Sequence, residues 1–578
     1  MKKINQLRKI LKQNNCDGYL IPKNDEYFGE HVPENKDRLK FITGFSGSSG
    51  LAIIFKKTSY LFVDGRYTLQ AKAEVNKSFK ICEISKIKPQ EIFKNLSKKI
   101  SLGFDPKLFT SNTLNNIIGN NKISLIGIKD NLIDKIWKNK SKIKDKKFYL
   151  LEEKFHGEHY LDKIIRLKKL LISNKIDYLL CTAVENIAWL INIRGRDSIS
   201  SPLTNGKLII ERNGKIIFFT NLNKITPQIK GFIKKNITFI KEDLFLDYLK
   251  QIKKSKILID KKTCSYDYEK NINSSNEIIK TNDPIDLLKA TKNKTEISNT
   301  KIAHLFDGIA LTKFIFWLKN NYKKEKITEI SAQNKLEQFK KFSKDYLYPS
   351  FNTISAFAQN GAIVHYRANK KTNKVIKGNN FYLLDSGSQY LYGTTDVTRT
   401  IAIGKISNIQ KRIYSTVLKG HIAVSSYEIK KSTIGKDIDK VARAPLLKMG
   451  HNYSHGTGHG VGYFLNVHEG PQGFSPLNNQ KILPGMILSN EPGFYKENKF
   501  GIRIENLVYC EKMNNNNLKF LELTIVPIDK DCFNKKILNK KEINWITNYH
   551  EKVYYILKPF MNNSELTMLR NACSAIFR

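Results

Sequence analysis

Asp385, Asp396, His459, Glu491 and Glu505 follow one another along the C-terminal half of this 578-residue chain, each in a short stretch of strand-like or turn-forming residues. This series constrains the fold more than any compositional figure does. Two hard divalent cations need several carboxylates, some of them bridging, and usually an imidazole. One Asp or His alone would carry no such weight. Five in well-formed contexts imply a half-chain folded so that they converge, with the chemistry of a two-metal hydrolase.

The run Phe381-Tyr-Leu-Leu-Asp385-Ser-Gly387 is apolar and ends in an acid and a turn, and Thr394-Thr-Asp396-Val-Thr-Arg-Thr-Ile-Ala-Ile403 is rich in β-branched residues after the break at Gly393. Together they read as a β-hairpin with each aspartate at the strand end nearest the connecting loop. Taken alone, Asp385 reads equally well as a turn residue and Asp396 as a solvent-facing one. In His455-Gly-Thr-Gly-His459-Gly-Val-Gly462 the two histidines are four apart, the spacing of a zincin helix. Glycines at 456, 458, 460 and 462 argue against a helix, and the general-base Glu is missing. No glycine in the segment starts a complete G-x-G-x-x-G, so a phosphate loop fails too. Two readings remain open: close backbone approach to a buried site with one histidine on metal and one near substrate, or two satisfied core histidines.

Asn490-Glu491-Pro-Gly493 follows the apolar run Met486 to Ser489, and Gly501-Ile-Arg503-Ile-Glu505-Asn-Leu-Val508 alternates as one strand. Alternation puts Arg503 and Glu505 on one face. An acid and an arginine there suggest a metal ligand with a partner that orients a neighbouring carboxylate. The alternative is an ordinary ion pair, worth under about 1 kcal/mol at a surface.

These stretches resemble the catalytic domain of the pita-bread metallopeptidases. The strings that carry the resemblance are Gly361-Ala-Ile-Val-His365-Tyr, Leu384-Asp-Ser-Gly, Gly393-Thr-Thr-Asp-Val-Thr-Arg-Thr, His455-Gly-Thr-Gly-His-Gly-Val-Gly, Asn466-Val-His468-Glu-Gly-Pro and Gly501-Ile-Arg-Ile-Glu-Asn. In the N-terminal half they are Thr43-Gly-Phe-Ser-Gly-Ser-Ser-Gly50, Val63-Asp-Gly-Arg-Tyr67 and Ile187-Ala-Trp-Leu-Ile-Asn-Ile-Arg-Gly195. The resemblance therefore spans essentially the whole chain and is strongest to the aminopeptidase P branch in its long, three-domain cytosolic form. Tyr392 and Asn490 stand where acids are common in that family; neither is a ligand position.

The resemblance implies that Asp385 binds one metal, that Asp396 and Glu505 bridge both, and that His459 and Glu491 hold the second. Two metals about 3.5 Å apart can share a bridging water and keep it as hydroxide at neutral pH. That hydroxide would attack the scissile carbonyl, with oxyanion stabilisation from the metals and a histidine, and Glu491 would shuttle the proton to the leaving nitrogen. His365, His455 and His468 would line the substrate cleft and take part in catalysis, with Arg503 also on the substrate side. The implied bond joins an N-terminal residue to a following proline. Its imide nitrogen has no hydrogen to donate, so the site must accept it by shape. The oxygen-rich donor set with one imidazole favours Mn²⁺, with Zn²⁺ and Co²⁺ chemically admissible.

The first half of the chain carries a faint internal repeat. Asn5 to Ile21 reads as a helix followed by Asp17-Gly-Tyr-Leu-Ile, and Asp162 to Cys181 repeats this with Ile176-Asp-Tyr-Leu-Leu. Each copy continues into an aromatic, Gly-containing segment and two short strands: Leu51 to Phe55 and Tyr60 to Val63, then Lys207 to Glu211 and Lys215 to Thr220. The expected fold is α/β (α+β): two related creatinase-like α/β domains, 1–150 and 151–292, then a pita-bread catalytic domain, 293–578. The first junction falls at the basic stretch around Lys138 to Lys147, and the second precedes a long helical pattern from Glu296 to Lys319. A helical tail from Glu542 to Phe577 closes the chain; by the resemblance it belongs to the catalytic domain and helps to make a homodimer.

At this length roughly three to four domains fit, and 41% hydrophobic with 11% aromatic residues can build ordinary cores, so disorder is not the default. A net charge of +45 would normally raise nucleic-acid binding. The lysines are spread through every domain beside abundant Asn and Ile, however, so a solvated basic surface is the expectation. Seven widely spaced cysteines without C-x-x-C indicate reduced, mostly buried thiols in a cytosol-like compartment. The N-terminus lacks a continuous apolar core, and no run reaches the roughly 18 apolar residues of a membrane span. A cytoplasmic enzyme follows as the expectation. Its rivals are a prolidase-type dipeptidase, a methionine aminopeptidase, and a non-catalytic peptide-binding protein on the same fold. The apparent duplicate domain argues against the first, the long N-terminal half against the second, and the complete ligand set against the third.

Overall fold

The structure is a computed structural model that describes residues 2–94, 99–141, 145–233, 236–514 and 516–574. The chain divides into two compact units, Met1–Asp286 and Leu287–Arg578.

The first unit contains the same architecture twice. In the helix Lys2–Gln13, Ile4, Leu7 and Leu11 recur at the spacing of one helical face and are buried. Asn15 then takes a left-handed φ of 53°, and the strand Gly18–Pro22 begins. In the helix Tyr160–Ser173, Tyr160, Ile164, Leu167 and Leu171 form the buried stripe. Lys175 turns the chain at φ 54° into the strand Tyr178–Cys181. Asp17 and Asp177, just ahead of each strand, do the same work. Each carboxylate accepts a backbone amide from the neighbouring parallel strand, Ser101 at 3.0 Å and Lys256 at 2.8 Å.

The two sheets that follow have matching topology. One runs Lys80–Glu83, Ser59–Val63, Leu51–Phe55, Gly18–Pro22, Ile100–Phe104, Ile123–Gly127. The other runs Ile237–Lys241, Ile216–Thr220, Lys207–Glu211, Tyr178–Cys181, Lys256–Asp260, Glu277–Thr281. In each, the three strands first in sequence pair antiparallel and the outer ones add in parallel. Parallel additions need crossover helices, which is why both sheets are covered and their strands are nearly continuous in Ile, Leu and Phe.

In the second unit every named strand pair among the described residues is antiparallel. The 28-residue helix Lys294–Asn321 opens with a capping box in which Asn293 and Glu296 bond each other's amides. Its apolar residues pack with Leu384, Ile401, Tyr414, Ile502 and Val553 in one core. Asn380–Ser386 pairs with Ile354–Phe357 on one side and Val397–Ile403 on the other. A five-stranded sheet runs Glu469–Phe474, Gly458–Gly460, Ile487–Asn490, Asn506–Lys512, Leu518–Glu522, and Gly493–Lys496 pairs with Phe500–Arg503 as a separate ribbon.

The single strand expected over Gly501 to Val508 is two. Ile504 and Glu505 donate their amides to Pro492 O and Thr398 O, at 3.4 and 3.1 Å, rather than to a strand ladder. The chain thereby leaves the ribbon and enters the five-stranded sheet at Asn506. All seven cysteines are free and buried. No helix among the described residues is long and apolar enough to cross a membrane. The basic stretch around Lys138 to Lys147 and the last residues of the tail expected to reach Phe577 lie partly outside the described residues. Within them the tail is two helices, Lys540–Leu557 and Asn563–Cys573, each with a capping box.

Candidate metal centre

The hairpin brings the first two acids together. Asp385 stands opposite Thr398 in the pairing of Asn380–Ser386 with Val397–Ile403, and Asp396 immediately precedes the second of these strands. The connection is itself ordered as a smaller hairpin, Ser388–Tyr390 against Gly393–Thr394. Its base is pinned from beneath: buried Lys340 donates to Ser386 Oγ and Gly387 O at 3.1 and 3.2 Å, and Ser350 Oγ donates to Thr395 O at 3.0 Å. Lys340 in turn lies 3.6 Å from Asp307.

His459 sits on Gly458–Gly460, which threads between two strands because glycine permits it; a methyl on Gly458 would fall 1.8 Å from the carbonyl oxygen of Ser489. His459 Nδ1 lies 2.9 Å from Gly460 O, the geometry of a donor to a carbonyl, so Nε2 is the nitrogen left for a ligand. That Nε2 lies 3.4 Å from both Asp396 Oδ2 and Glu491 Oε1. Glu491 is set by its amide on Thr457 O at 2.8 Å and by Ser489 Oγ, which donates to its carboxylate at 3.1 Å. The His455 to Thr457 segment is held from the helix Gly435–Leu447. Arg443 donates to the carbonyls of Tyr453 and His455, and Asp439 accepts from the Thr457 amide and hydroxyl.

Ligand atoms of Asp396, His459 and Glu505 all lie within 4.8 Å of one another. Arg503 and Glu505, although not on one continuous strand, still converge on the hydroxyl of Thr398, which donates to Glu505 Oε2 at 2.7 Å and accepts from Arg503 Nε at 3.2 Å. Arg503 Nη2 donates to Asp385 Oδ2 at 2.5 Å, fixing one carboxylate oxygen. The other, Asp385 Oδ1, is buried with no hydrogen-bond partner among the described residues.

The donor set fits divalent metal. Burial first, and the charges of Asp385 and Glu491 second, raise Asp396 well above the usual carboxylate range. Burial and Asp396 do the same to Glu505, and burial raises Glu491 against the pull of His459 and Arg503. Burial pulls Arg503 down, but Tyr495, Asp385 and Glu491 more than offset it and hold the guanidinium well above its ordinary value. Asp396, Glu491 and Glu505, so raised, ionise together only around more positive charge than one guanidinium supplies. Asp385 Oδ1 adds an acceptor that no donor among the described residues satisfies.

Of the expected cleft histidines, His468 is exposed with its ring centroid 4.2 Å from that of His459. The following residue, Glu469, is buried between Lys289 and Lys292. His455 has Nδ1 at 2.7 Å from Gly456 O and Nε2 at 2.9 Å from the Tyr495 hydroxyl. His365 is half-buried just beyond the turn Ala358–Ala362. That turn lies directly on the Arg503 strand, where a methyl on Gly501 would fall 1.7 Å from Gly361 O.

Sequence reasoning missed three members of the site. Tyr495 accepts from Arg503 Nη1 at 2.7 Å and reaches His455, so Asp385, Arg503, Tyr495 and His455 form one chain of contacts; burial pushes its phenol up to about 12. Thr398 lies two residues past Asp396, a spacing that could have flagged it. His421 lies 3.0 Å from Asn490 O through Nδ1, and burial together with Arg399 lowers it to about 3, so it is neutral. Nothing local to residue 421 announces that contact. Asn490 answers by donating to His421 O and Ser425 Oγ, and Tyr392 packs against Phe306.

Residues 298–512 match the family model described as metallopeptidase family M24, and residues 516–576 match the C-terminal region of peptidase M24. Residues 3–135 and 138–296 each match a creatinase/prolidase N-terminal domain. The Xaa-Pro aminopeptidase 1 of Dictyostelium discoideum is 35% identical over 99% of this chain and 96% of that protein. A probable Xaa-Pro aminopeptidase P of Laccaria bicolor is 33% identical over 99% of this chain and 93% of its own length. Among solved structures, the X-prolyl aminopeptidase of Caenorhabditis elegans, described as a cytosolic enzyme with a di-nuclear active site, superposes with a TM-score of 0.94 at 28% identity, covering 99% of both chains. The Xaa-Pro dipeptidase of Bacillus anthracis superposes with a TM-score of 0.54 at 26% identity and covers only 64% of this chain.

Proposed function

The chain belongs to metallopeptidase family M24, among its Xaa-Pro aminopeptidases, and from that premise we propose how its residues hydrolyse the bond between an N-terminal residue and a following proline. It is a metal-dependent aminopeptidase. The observation that carries the site assignment is the convergence of Asp396, His459 and Glu505, with Asp385 and Glu491 alongside. A prolidase-type dipeptidase is the weaker reading, because the relatives that match over 99% of the chain at 33–35% identity are named Xaa-Pro aminopeptidases.

Asp385, Asp396, His459, Glu491 and Glu505 would hold two divalent ions, and Mn²⁺ would suit this set of oxygens and one imidazole best. Bound there, the pair supplies Lewis acidity and makes water nucleophilic at neutral pH. Arg503 keeps Asp385 oriented, and the Gly460 carbonyl keeps His459 in the tautomer that presents Nε2. Glu491 accepts a proton from water as its oxygen attacks the scissile carbonyl carbon. It returns that proton to the proline nitrogen as the C–N bond breaks, releasing the first residue and a peptide with N-terminal proline. His365 and His468 line the cleft, and His455, joined through Tyr495 to Arg503, orients the substrate side of the centre.

A division into domains 1–150, 151–292 and 293–578 is the reading; the two matching sheets and three successive family matches support three domains, with the first junction nearer residue 137 than 150. A homodimer through the catalytic domain and a cytosolic location complete the reading; the description of the C. elegans protein supports the second. The test is cleavage by chelator-stripped protein with Mn²⁺ restored. It compares a free-amine Xaa-Pro-Xaa tripeptide, its Xaa-Ala analogue, an N-acetylated copy and an Xaa-Pro dipeptide. Cleavage of the first alone is expected; turnover of only the dipeptide would make the enzyme a prolidase.

A further inference from the structure

Arg399 lies in the strand Val397–Ile403, is 1% exposed, and has no part in the steps above. Unlike Arg503 it forms no ion pair with a carboxylate among the described residues. Its donors go to carbonyls and neutral side chains. Nε reaches Pro527 O at 3.1 Å, and Nη1 reaches Thr398 O and Glu505 O at 2.9 and 2.6 Å. Nη2 reaches Asn506 Oδ1, Val526 O and the Tyr549 hydroxyl at 2.8, 2.7 and 2.9 Å. The Tyr549 hydroxyl in turn lies 2.8 Å from Val526 O as a donor.

Glu505 is thus held at three points. Its amide donates to Thr398 O at 3.1 Å, its carbonyl accepts from Arg399, and its carboxylate accepts from Thr398 Oγ1. Glu505 stands in the gap between two strands of different sheets, where no ladder fixes its backbone. The planar fork of arginine supplies donors spaced to span from Thr398 to Val526; a lysine ammonium is a single point and cannot.

We propose that Arg399 is a positioning residue. It holds Glu505 in ligand geometry and makes the segment from Val526 to Tyr549 part of the metal centre. The inference rests on the reading of Glu505 as a metal ligand, and the experiment separates the two. Chelator-stripped full-length protein is titrated with Co²⁺, followed by calorimetry and visible absorption, alongside thermal unfolding and steady-state kinetics on an Xaa-Pro-Xaa tripeptide.

R399K is expected to bind Co²⁺ about 10- to 100-fold more weakly, with an altered absorption band, a lower kcat and little change in KM. Y549F removes one of the fork's partners, with an expected loss of about 2- to 10-fold in Co²⁺ affinity. V553A creates a cavity in the same helix without touching Arg399, so it should lower the Tm and leave Co²⁺ affinity alone. Folded R399K with wild-type Co²⁺ affinity would overturn the proposal. If R399K does not fold, Y549F decides: affinity loss beyond that of V553A supports the role, and equal behaviour of the two refutes it. E505Q checks the premise. Wild-type Co²⁺ binding in E505Q would remove Glu505 from the centre and the proposal with it; weak binding in E505Q beside intact binding in R399K would refute positioning alone.

Discussion

The ion pairs of the N-terminal unit and the metal centre of the C-terminal unit bury charge in opposite ways. In the N-terminal unit deep cations meet acids: Arg38 lies 2.7 Å from Glu26 and 2.8 Å from Asp134, Lys224 lies 2.7 Å from Asp197, and Lys207 pairs with Glu242 under the Tyr27 ring. In the C-terminal unit Asp385, Asp396, Glu491 and Glu505 crowd together around the single guanidinium of Arg503. A balanced buried pair serves folding or specificity and is close to neutral in net stability. A buried excess of one sign is costly by itself and marks a place kept for a ligand.

The contrast breaks most visibly at the centre. Glu505→Gln or Asp396→Asn should reduce hydrolysis of the tripeptide to background while raising the Tm of chelated protein above wild type. Both carboxylates have folded-state pKa values above their unfolded ones. Between those values the native state binds more protons, so stability falls as pH rises. The Tm advantage of Asp396→Asn in chelator should therefore widen as pH rises through that window and reverse when Mn²⁺ is added. A gap independent of pH would sink the repulsion argument.

Arg503→Met removes the cation paired with Asp385 and should cost about 3–5 kcal/mol in denaturant unfolding, with part recovered by metal. Smaller is Tyr495→Phe, which cuts the link from Arg503 to His455. Activity should drop about 10- to 100-fold with an unfolding midpoint close to wild type. Smallest at the centre is Lys207→Met in the N-terminal unit. It should lose about 1–3 kcal/mol of stability there and leave kcat/KM per folded molecule unchanged; an activity loss larger than the unfolded fraction would undo the distinction between the units.

The duplicated half was legible because its signals are local. A helical pattern followed by Asp17-Gly-Tyr-Leu-Ile is read within a few residues, and it recurs from Asp162 with Ile176-Asp-Tyr-Leu-Leu. The strand break at Ile504 and Glu505 was not legible, since Gly501 to Val508 alternates without interruption and only Pro492 O and Thr398 O draw the amides away. Tyr495 and His421 were missed for the same reason: each acts through a group distant in sequence, Arg503 with His455 for one and Asn490 for the other.

Residue chemistry and spacing by themselves marked five candidate donors for two metals, offered close backbone approach as one of two readings of the His459 segment, and showed that the N-terminal half repeats itself. Periodicity and ligand preference are properties of neighbours in the chain, so they survive without coordinates. What only the tertiary structure decided is how the charge is arranged: Arg503 on Asp385, Thr398 shared between Arg503 and Glu505, and Arg399 across three segments. Those contacts depend on the closure of strands more than a hundred residues apart, and electrostatics in a buried site depends on distance and desolvation, neither of which is written in sequence order.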